Sequence, residues 1–471
     1  MGVHAGAIVS AAEPTRAHLV ISAFRTAFAR RASKLPAFPA TGLTNCYAGL
    51  LLLVVGGVRD TNNMRVISLF SGAGGLDLGL TRWGLEPELV AEIDPLFCRT
   101  LQANLTSGTK ILNEDVSKLH ASDLDVTAYG REVDLLVGGP PCQSFSTGGG
   151  RAGLSDPRGN LIFEFIRLIN EVRPKVFVLE NVANLITAAL SHRPIAERPG
   201  QRWNLASYAS SSQSIDPGVE PMRSEEMSGS AIKYLLEVIQ EELNYDISLG
   251  VLNSAEHGAP QKRLRLVIIG ARDGKAPMLP IATHGEDALP YRTVRDAIWD
   301  LRNNAGPGSE YSERLRGYFD LVPEGGNWRS LPTEVAAEAM GQKSLLAGGG
   351  KTGFFRRLAW DAPSPTITGK ANRKGSAMCH PEFSRPITVR ECARLQGFPD
   401  TWHFEGGVGS QYTQIGNAVP VELGAAVGKA VTEYLSGSGA VESRSLETML
   451  ADASSTLRQA ARNKVARKVA A

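Results

Sequence analysis

RVISLFSGAGGLDLGL (Arg65–Leu80) is the stretch whose reading decides the fold. RVISLF is a short apolar run of strand type, and it passes directly through SGAGG into an amphipathic stretch. The glycines therefore sit at a strand-to-helix turn, where backbone can approach a ligand closely. A dinucleotide fingerprint, G-x-G-x-x-G, would need glycine at position 77, and that position is Asp77. A pyrophosphate is disfavoured there. The next strand, PELVAEID (Pro87–Asp94), carries Glu92 with Asp94 behind it. An acid about 20 residues past the turn is placed to grip ribose hydroxyls. The pocket suits a nucleoside without a diphosphate, and S-adenosyl-L-methionine is the candidate.

Outward from this unit, PLFCRTLQANL reads as a helix, followed by strands at VDLLVGG (Val133–Gly139), KVFVLEN (Lys175–Asn181), YDISLGVLN and LRLVIIG (Leu264–Gly270). Helical stretches NLIFEFIRLINEV and IKYLLEVIQEEL lie between them. Strands alternating with helices at this spacing predict an α/β fold, a largely parallel sheet covered on both faces. The rhythm breaks at about 191–230, rich in Ser, Pro and Arg, and again at about 271–403. GGGKTG (Gly348–Gly353) imitates a phosphate loop, but the required first glycine falls on Leu345, so it reads as a flexible loop.

One stretch carries chemistry on its face. GGPPCQSFSTGGGRAG ends a strand with Pro140 and Pro141, then a lone thiol, Cys142, then a glycine-rich run. The prolines fix their φ angles and hold the thiol in place. The glycines after it can hinge a lid. A buried cysteine serving as a small hydrophobe is the plain alternative, but the polar residues that follow could not bury themselves. VLENV puts Glu180 at the end of another buried strand, where an ionised carboxylate needs a role or a partner. QKRLR places Arg263 and Arg265 two residues apart, hence on one face of a strand. A thiol, a carboxylic acid and paired guanidiniums imply attack on an electron-rich or anionic ring. A Cys–His hydrolase would need a histidine partner, and the eight histidines sit in no suggestive setting.

Composition sets outer limits. The 471 residues carry a net charge of +2, which excludes a uniformly basic protein but not a local basic groove. The five cysteines show no C-x-x-C pair and suit a reducing cytoplasm, with no metal site expected. Residues 1–63 are Arg-rich and acid-poor. YAGLLLLVVGGV within them is shorter than the ~20 residues of a spanning helix. They read as an extension upstream of an orderly chain starting at Met64, with an organellar leader as the alternative.

The blocks FSGAGG, AEID, NEDV (Asn113–Val116), GGPPCQSFS, ENV, QKRLR, RPITVRECARLQGFPD (Arg385–Asp400) and QIGNAVPVELG (Gln414–Gly424) follow one another in a fixed order. From Met64 to about Ser436 the chain resembles the DNA (cytosine-5) methyltransferases of bacterial restriction-modification systems. The resemblance implies a Rossmann-like S-adenosylmethionine-dependent sheet at 64–270 with the insertion at about 191–230. It implies a target-recognition domain at 271–403 and a returning segment at 404–437, leaving 438–471 as linker and basic tail. It implies that Phe70, Gly72, Gly74, Glu92, Asp115, Pro140, Asn417 and Val419 line the cofactor pocket. It further implies that Cys142 adds to cytosine carbon 6, that Glu180 protonates ring nitrogen 3, and that Arg263 and Arg265 orient base and phosphate. Double-stranded DNA is the implied partner of a cytoplasmic, monomeric enzyme, with a cognate endonuclease as its functional counterpart. Arg151 in the lid and Lys370, Asn372, Arg373 and Lys374 in the recognition region are the candidate DNA contacts. The segment from Lys351 to Arg394 holds nine basic and three acidic residues, which reads as a phosphate-facing surface. Two other readings stand beside this one. A tRNA cytosine methyltransferase lacks its second cysteine or Cys-Phe-Thr element here, and a non-catalytic DNA-binding regulator would not need Cys142 and Glu180.

Overall fold

Strand β1 (Val66–Leu69) is buried at every position, and it is the centre from which the sheet grows. The computed structural model describes residues 64–124, 132–141, 161–191, 222–341, 354–370 and 378–469, with side chains as far as residue 462. In chain order the sheet strands are β1, β2 (Pro87–Glu92), β3 (Lys110–Asn113), β4 (Leu135–Gly138), β5 (Val176–Val182), β6 (Asp246–Asn253) and β7 (Leu264–Ala271). They lie in the order β3-β2-β1-β4-β5-β7-β6. The five strands from β3 to β5 are parallel. β7 is antiparallel to both of its neighbours, β5 and β6. The expected parallel sheet thus holds one reversed strand. β3 is a strand that the apolar pattern did not predict, because it has four residues, none of them buried.

That reversal decides what meets at one edge. β5 and β6 end where β7 begins, with Val182 opposite Arg265 and Asn253 opposite Leu264. β1, β2, β3 and β4 end on the same edge, because they run parallel to β5. Glu92, Gly138, Glu180 and the start of β7 are therefore gathered along it.

Helix α1 (Gly75–Thr81) follows β1, and α2 (Pro95–Asn104) follows β2, started by Asp94, whose side chain accepts the Leu96 N–H. Helices α3 (Leu161–Val172) and α4 (Ser230–Glu237) cover one face of the sheet, burying Ile162, Phe165, Ile169, Ile232 and Leu235 against Leu136, Phe177 and Leu249. After β7 the chain leaves the sheet through α5 (Val294–Ile298), α6 (Glu313–Asp320) and α7 (Thr333–Met340). Around the last two, Tyr311, Phe319, Val322, Leu331, Met340 and Phe355 form a small core of their own. The chain returns through α8 (Val389–Leu395) and α9 (Val408–Asn417). Helix α10 (Val421–Leu435) then lies on α1, on the second face of the sheet.

Contact between α1 and α10 is backbone against backbone. A Cβ on Gly79 would overlap Val421 O and stand 2.5 Å from Ala425 N, and one on Gly424 would stand 2.7 Å from Leu76 O. Gly75 faces Val419 O in the same way. No side chain fits in this seam.

Residues 438–471 do more than link and trail. Ala440–Glu442 pairs with the chain beside β6, with Glu442 N–H donating to Ala276 O at 2.8 Å and Met278 N–H to Ala440 O at 2.9 Å. Helix α11 (Leu446–Val469) follows, and its Met449 and Ala453 are buried in the sheet's core with Leu446, Leu450 and Leu457 against it.

Asp77, in the first turn of α1, is wholly buried, and no directed hydrogen bond reaches either carboxylate oxygen. Burial raises its pKa to about 6, with the Ser68 hydroxyl nearby offsetting part of that cost. The folded chain then binds this proton more tightly than the unfolded chain, so stability falls as pH rises from about 4 to about 6. Ionisation costs roughly 3 kcal/mol. Urea melts of Asp77→Asn and the parent should converge near pH 4 and separate in favour of Asn by pH 7. Gly79→Ala should cost at least ~3 kcal/mol in the same melts, because backbone on both sides must move.

Candidate functional site

The turn after β1 is the first wall of the site. Phe70 is held at φ 57°, a left-handed conformation that costs a bulky residue roughly 1–3 kcal/mol and marks sites where geometry is imposed. Gly72 follows, also at φ 57°, and none of the described residues lies within 4 Å of where its Cβ would be. Glu92 fixes this turn from the end of β2. Its Oε2 accepts the Gly72 N–H at 2.8 Å and its Oε1 the Asp94 N–H at 2.9 Å. Burial pushes the Glu92 pKa up, partly offset by those two N–H donors. Beside it Ile93 is 62% exposed, an apolar plate at the strand end. Asn113 donates to Glu92 O and Ile93 O at 3.1 and 2.9 Å, locking the ends of β3 and β2 together. Asp115, half-buried just beyond β3, caps a short turn through the Ser117 N–H.

Open space at a left-handed glycine, a buried acid behind it and an exposed apolar side chain beside it fit a nucleoside with its ribose on Glu92. Gly74 differs from Gly72, since its Cβ would press on Trp402 at 2.9 Å, so it serves packing. From the C-terminal block, Asn417 is exposed and Val419 half-buried, its carbonyl against Gly75. Ile93 escaped the sequence reading, because a single apolar residue at a strand end looks like core.

The second wall is built from β4, β5 and β7. Glu180 is 8% exposed at the end of β5. Arg265 Nε lies 2.6 Å from Glu180 Oε1, a close ionic contact in which no N–H points along the hydrogen-bond axis. Gly139 approaches so closely that a Cβ there would lie 3.1 Å from Glu180 Oε2. Asn181 Nδ2 donates to the buried Pro140's carbonyl at 3.2 Å, tying the proline turn to β5.

Arg263 behaves differently from Arg265. It is 4% exposed, and its Nη1 donates to Ile367 O at 2.8 Å while Nε has no partner. Burial, with Arg265 nearby, drives its pKa well below the usual arginine value. It anchors the segment around Ile367 to the sheet edge. Gln261 does the same, donating to Gln396 Oε1 at 2.7 Å and accepting the Ile367 N–H at 2.7 Å. This glutamine was not singled out from sequence, where it is one polar residue among several.

Cys142 and Arg151 lie outside the described residues, as do Asn372, Arg373 and Lys374; Lys370 is described and exposed. The described cysteines, Cys98, Cys379 and Cys392, are all buried free thiols. Burial raises Cys98 to about 11, Cys379 to about 12 and Cys392 well above its ordinary value, so none of them offers a thiolate. Burial also keeps His257 and His380 neutral, with pKa values lowered to about 4 and about 3.

Four arginines of the basic window from Lys351 to Arg394 are engaged within the protein. Arg357 is buried and spends its guanidinium on Val322 O, His380 O, Phe319 O and Ser384 Oγ. Arg385 forms a two-pronged bond to the buried Glu391 at 2.8 and 2.9 Å. Arg394 bridges Asp300 and Asp400, and Arg390 donates to Pro399 O and Trp402 O. A charge count along the chain does not show this, because Arg357 and Arg385 satisfy buried carbonyls and a buried acid, while Arg390 and Arg394 are matched by nearby carbonyls and by the exposed Asp300 and Asp400.

Among the described residues no group of three or more His, Cys, Asp or Glu is arranged to hold a metal ion, and no helix is long and apolar enough to cross a membrane.

The family model of C-5 cytosine-specific DNA methylases matches residues 64–193 and 224–433. A Type II methyltransferase of Psychrobacter sp. (strain TA137), M.PspPI, is 39% identical over 387 residues, covering 80% of this chain and 81% of its own. M.Sau96I of Staphylococcus aureus, also a Type II methyltransferase, is 36% identical over 386 residues, covering 81% and 78%. A crystal structure of a prophage-encoded DNA modification methyltransferase of Escherichia coli shares the fold. Its TM-score is 0.50 at 24% identity, over 79% of this chain and 100% of that one. The chain belongs to the C-5 cytosine-specific DNA methylase family.

Proposed function

We propose that this cytosine-5 DNA methylase works through Cys142, Glu180 and Arg265, on a cytosine flipped out of a specific duplex sequence. The observation that carries the reading is the buried Glu180 carboxylate, ion-paired to Arg265 at 2.6 Å and directly behind the Gly139–Pro141 turn that leads to Cys142. Aromatic carbon 5 is too weak a nucleophile to attack a methyl group unaided. In this reading the Cys142 thiolate adds to carbon 6 while Glu180, hydrogen-bonded to ring nitrogen 3, delivers a proton there. The ring becomes enamine-like, and carbon 5 carries the electron pair that forms the new bond. S-adenosyl-L-methionine supplies the electrophilic methyl group when bound. Loss of the carbon 5 proton to solvent then expels the thiolate, and ring nitrogen 3 returns its proton to the Glu180 carboxylate, which restores the ring. Arg265 keeps the Glu180 carboxyl aimed, while Arg263 holds the strand edge and the Ile367 segment in place.

The cofactor's adenosine would lie along Gly72, Glu92 and Ile93, with Phe70, Asp115, Pro140, Asn417 and Val419 around it. Flipping costs a few kcal/mol of stacking and pairing, which the glycine-rich lid with Arg151 would offset by closing over the base. Recognition belongs to the 271–403 region, with Lys370, Asn372, Arg373 and Lys374 as candidate base-edge contacts. We assign the chain to protection of bacterial DNA beside a cognate endonuclease, acting as a monomer in the cytoplasm. The Type II names of its relatives support that role.

Purified protein given labelled S-adenosylmethionine should transfer label to unmethylated DNA and not to tRNA, and label on tRNA alone would sink the reading. Cys142→Ser should abolish transfer with cofactor affinity held within about twofold, since the thiol serves chemistry rather than binding. Glu180→Gln should lower kcat by roughly 10²–10⁴ with cofactor affinity also retained.

A further inference from the structure

Helix α11 lies beyond the residues shared with the family, which end at 433. Its path can be traced. Glu442 pairs with Ala276, and the Ala276 N–H donates to Asp246, the first residue of β6, so the helix begins near the edge opposite the site. It packs on β6 and on the turn Ala183–Thr187, which follows β5 at the catalytic edge. A helix that starts at one edge and reaches a turn at the other must run along β6 toward the site.

Its apolar face, Leu446, Met449, Leu450, Ala453 and Leu457, repeats at helical spacing and stops there. The helix continues to Val469, roughly 18 Å further at 1.5 Å per residue. That outer part carries Arg458, Arg462, Lys464, Arg467 and Lys468, and no acid follows Asp452. Arg458 and Arg462 are exposed. These five cations exceed the chain's entire net charge of +2. They stand out further because Arg357, Arg385, Arg390 and Arg394 of the 351–394 window are already engaged by carbonyls and acids of the protein.

We infer that the outer half of α11 is a second DNA-binding element, contacting phosphates of the duplex that flanks the target base. The inference rests on the proposed function, since the duplex must lie across the catalytic edge to present its cytosine to Glu180. The occupant is a polyanion because Arg458 and Arg462 are exposed and the sequence that continues the helix adds three cations and no acid, which suits sequence-independent phosphate contact. Binding there adds affinity without reading bases, and it lengthens the footprint on one side of the target.

The test replaces Arg458, Arg462, Lys464, Arg467 and Lys468 by Gln together in the full chain. Gln keeps the length and helix propensity of the originals. Binding of an unmethylated duplex is titrated over a salt series, alongside cofactor binding and methyl transfer. The expected result is at least tenfold weaker DNA binding at about 0.15 M salt. The slope of log K against log salt should become shallower by about 3 to 4, near 0.9 per lost phosphate contact. Cofactor affinity and kcat at saturating DNA should hold. Unchanged affinity and salt slope would overturn the inference. The double variant Arg458→Gln/Arg462→Gln alters only exposed positions and should lower the slope by about 1 to 2, so a folding defect in the full set leaves a readable result. Failure of the parent protein to methylate DNA would count against the proposed function instead, because the binding titration is read independently of transfer.

Discussion

Everything at the site hangs on the seam between α1 and α10. The chain leaves the sheet after β7 and must come back, because the turn that begins α1 is completed by residues some 340 positions later. Gly75, Gly79 and Gly424 let two helices meet with backbone in contact, closer than the 8–10 Å usual for side-chain-packed pairs. Arg82 and Arg292 then hold Glu422 from either side. Glycine costs helix propensity, but here any Cβ would push α10 away and carry Val419 off the turn that begins α1. The returning helix is therefore a strap that closes onto the end of β1.

Polar side chains inside the molecule serve mainly as joints. Gln261 and Gln396 link the start of β7 to the Ile367 segment and to Ile415 O at the end of α9. Arg357 ties together two stretches of the chain, Phe319–Val322 and His380–Ser384, and Glu391 takes both Arg385 and the capping Thr388 N–H. Each removes an orphaned donor or acceptor that burial would otherwise make expensive. Joints of this kind make contact between irregular segments that lack a sheet or helix ladder, as those after β7 do.

The reversed strand β7 explains how the single buried carboxylate at the end of β5 can be kept paired. A parallel strand in that place would start at the opposite edge and leave Glu180 unpaired in low dielectric. Running antiparallel, β7 begins beside the end of β5 and delivers Arg265 to Glu180. The pair is nearly dry, which strengthens its ionic attraction, and Arg263 two residues earlier is left to grip Ile367 O.

Much of this was legible in the chain itself. Periodicity and turn residues located six of the seven sheet strands, the glycine turn and the acid behind it, since those features are local and repeat at fixed spacing. Ordered motifs carried the family, the cofactor and the paired Glu180 and arginines, because chemistry demands particular residue types. What local pattern could not carry was anything set by distant partners. Whether Arg357, Arg385 and Arg394 face water or carbonyls depends on segments that meet only after folding. The same holds for the direction of β7, for the short edge strand β3 and for the split between Arg263 and Arg265. The basic end of the chain was visible as composition, but only the packing of α11 along β6 gave that charge a direction, because a helix points where its apolar face is pinned.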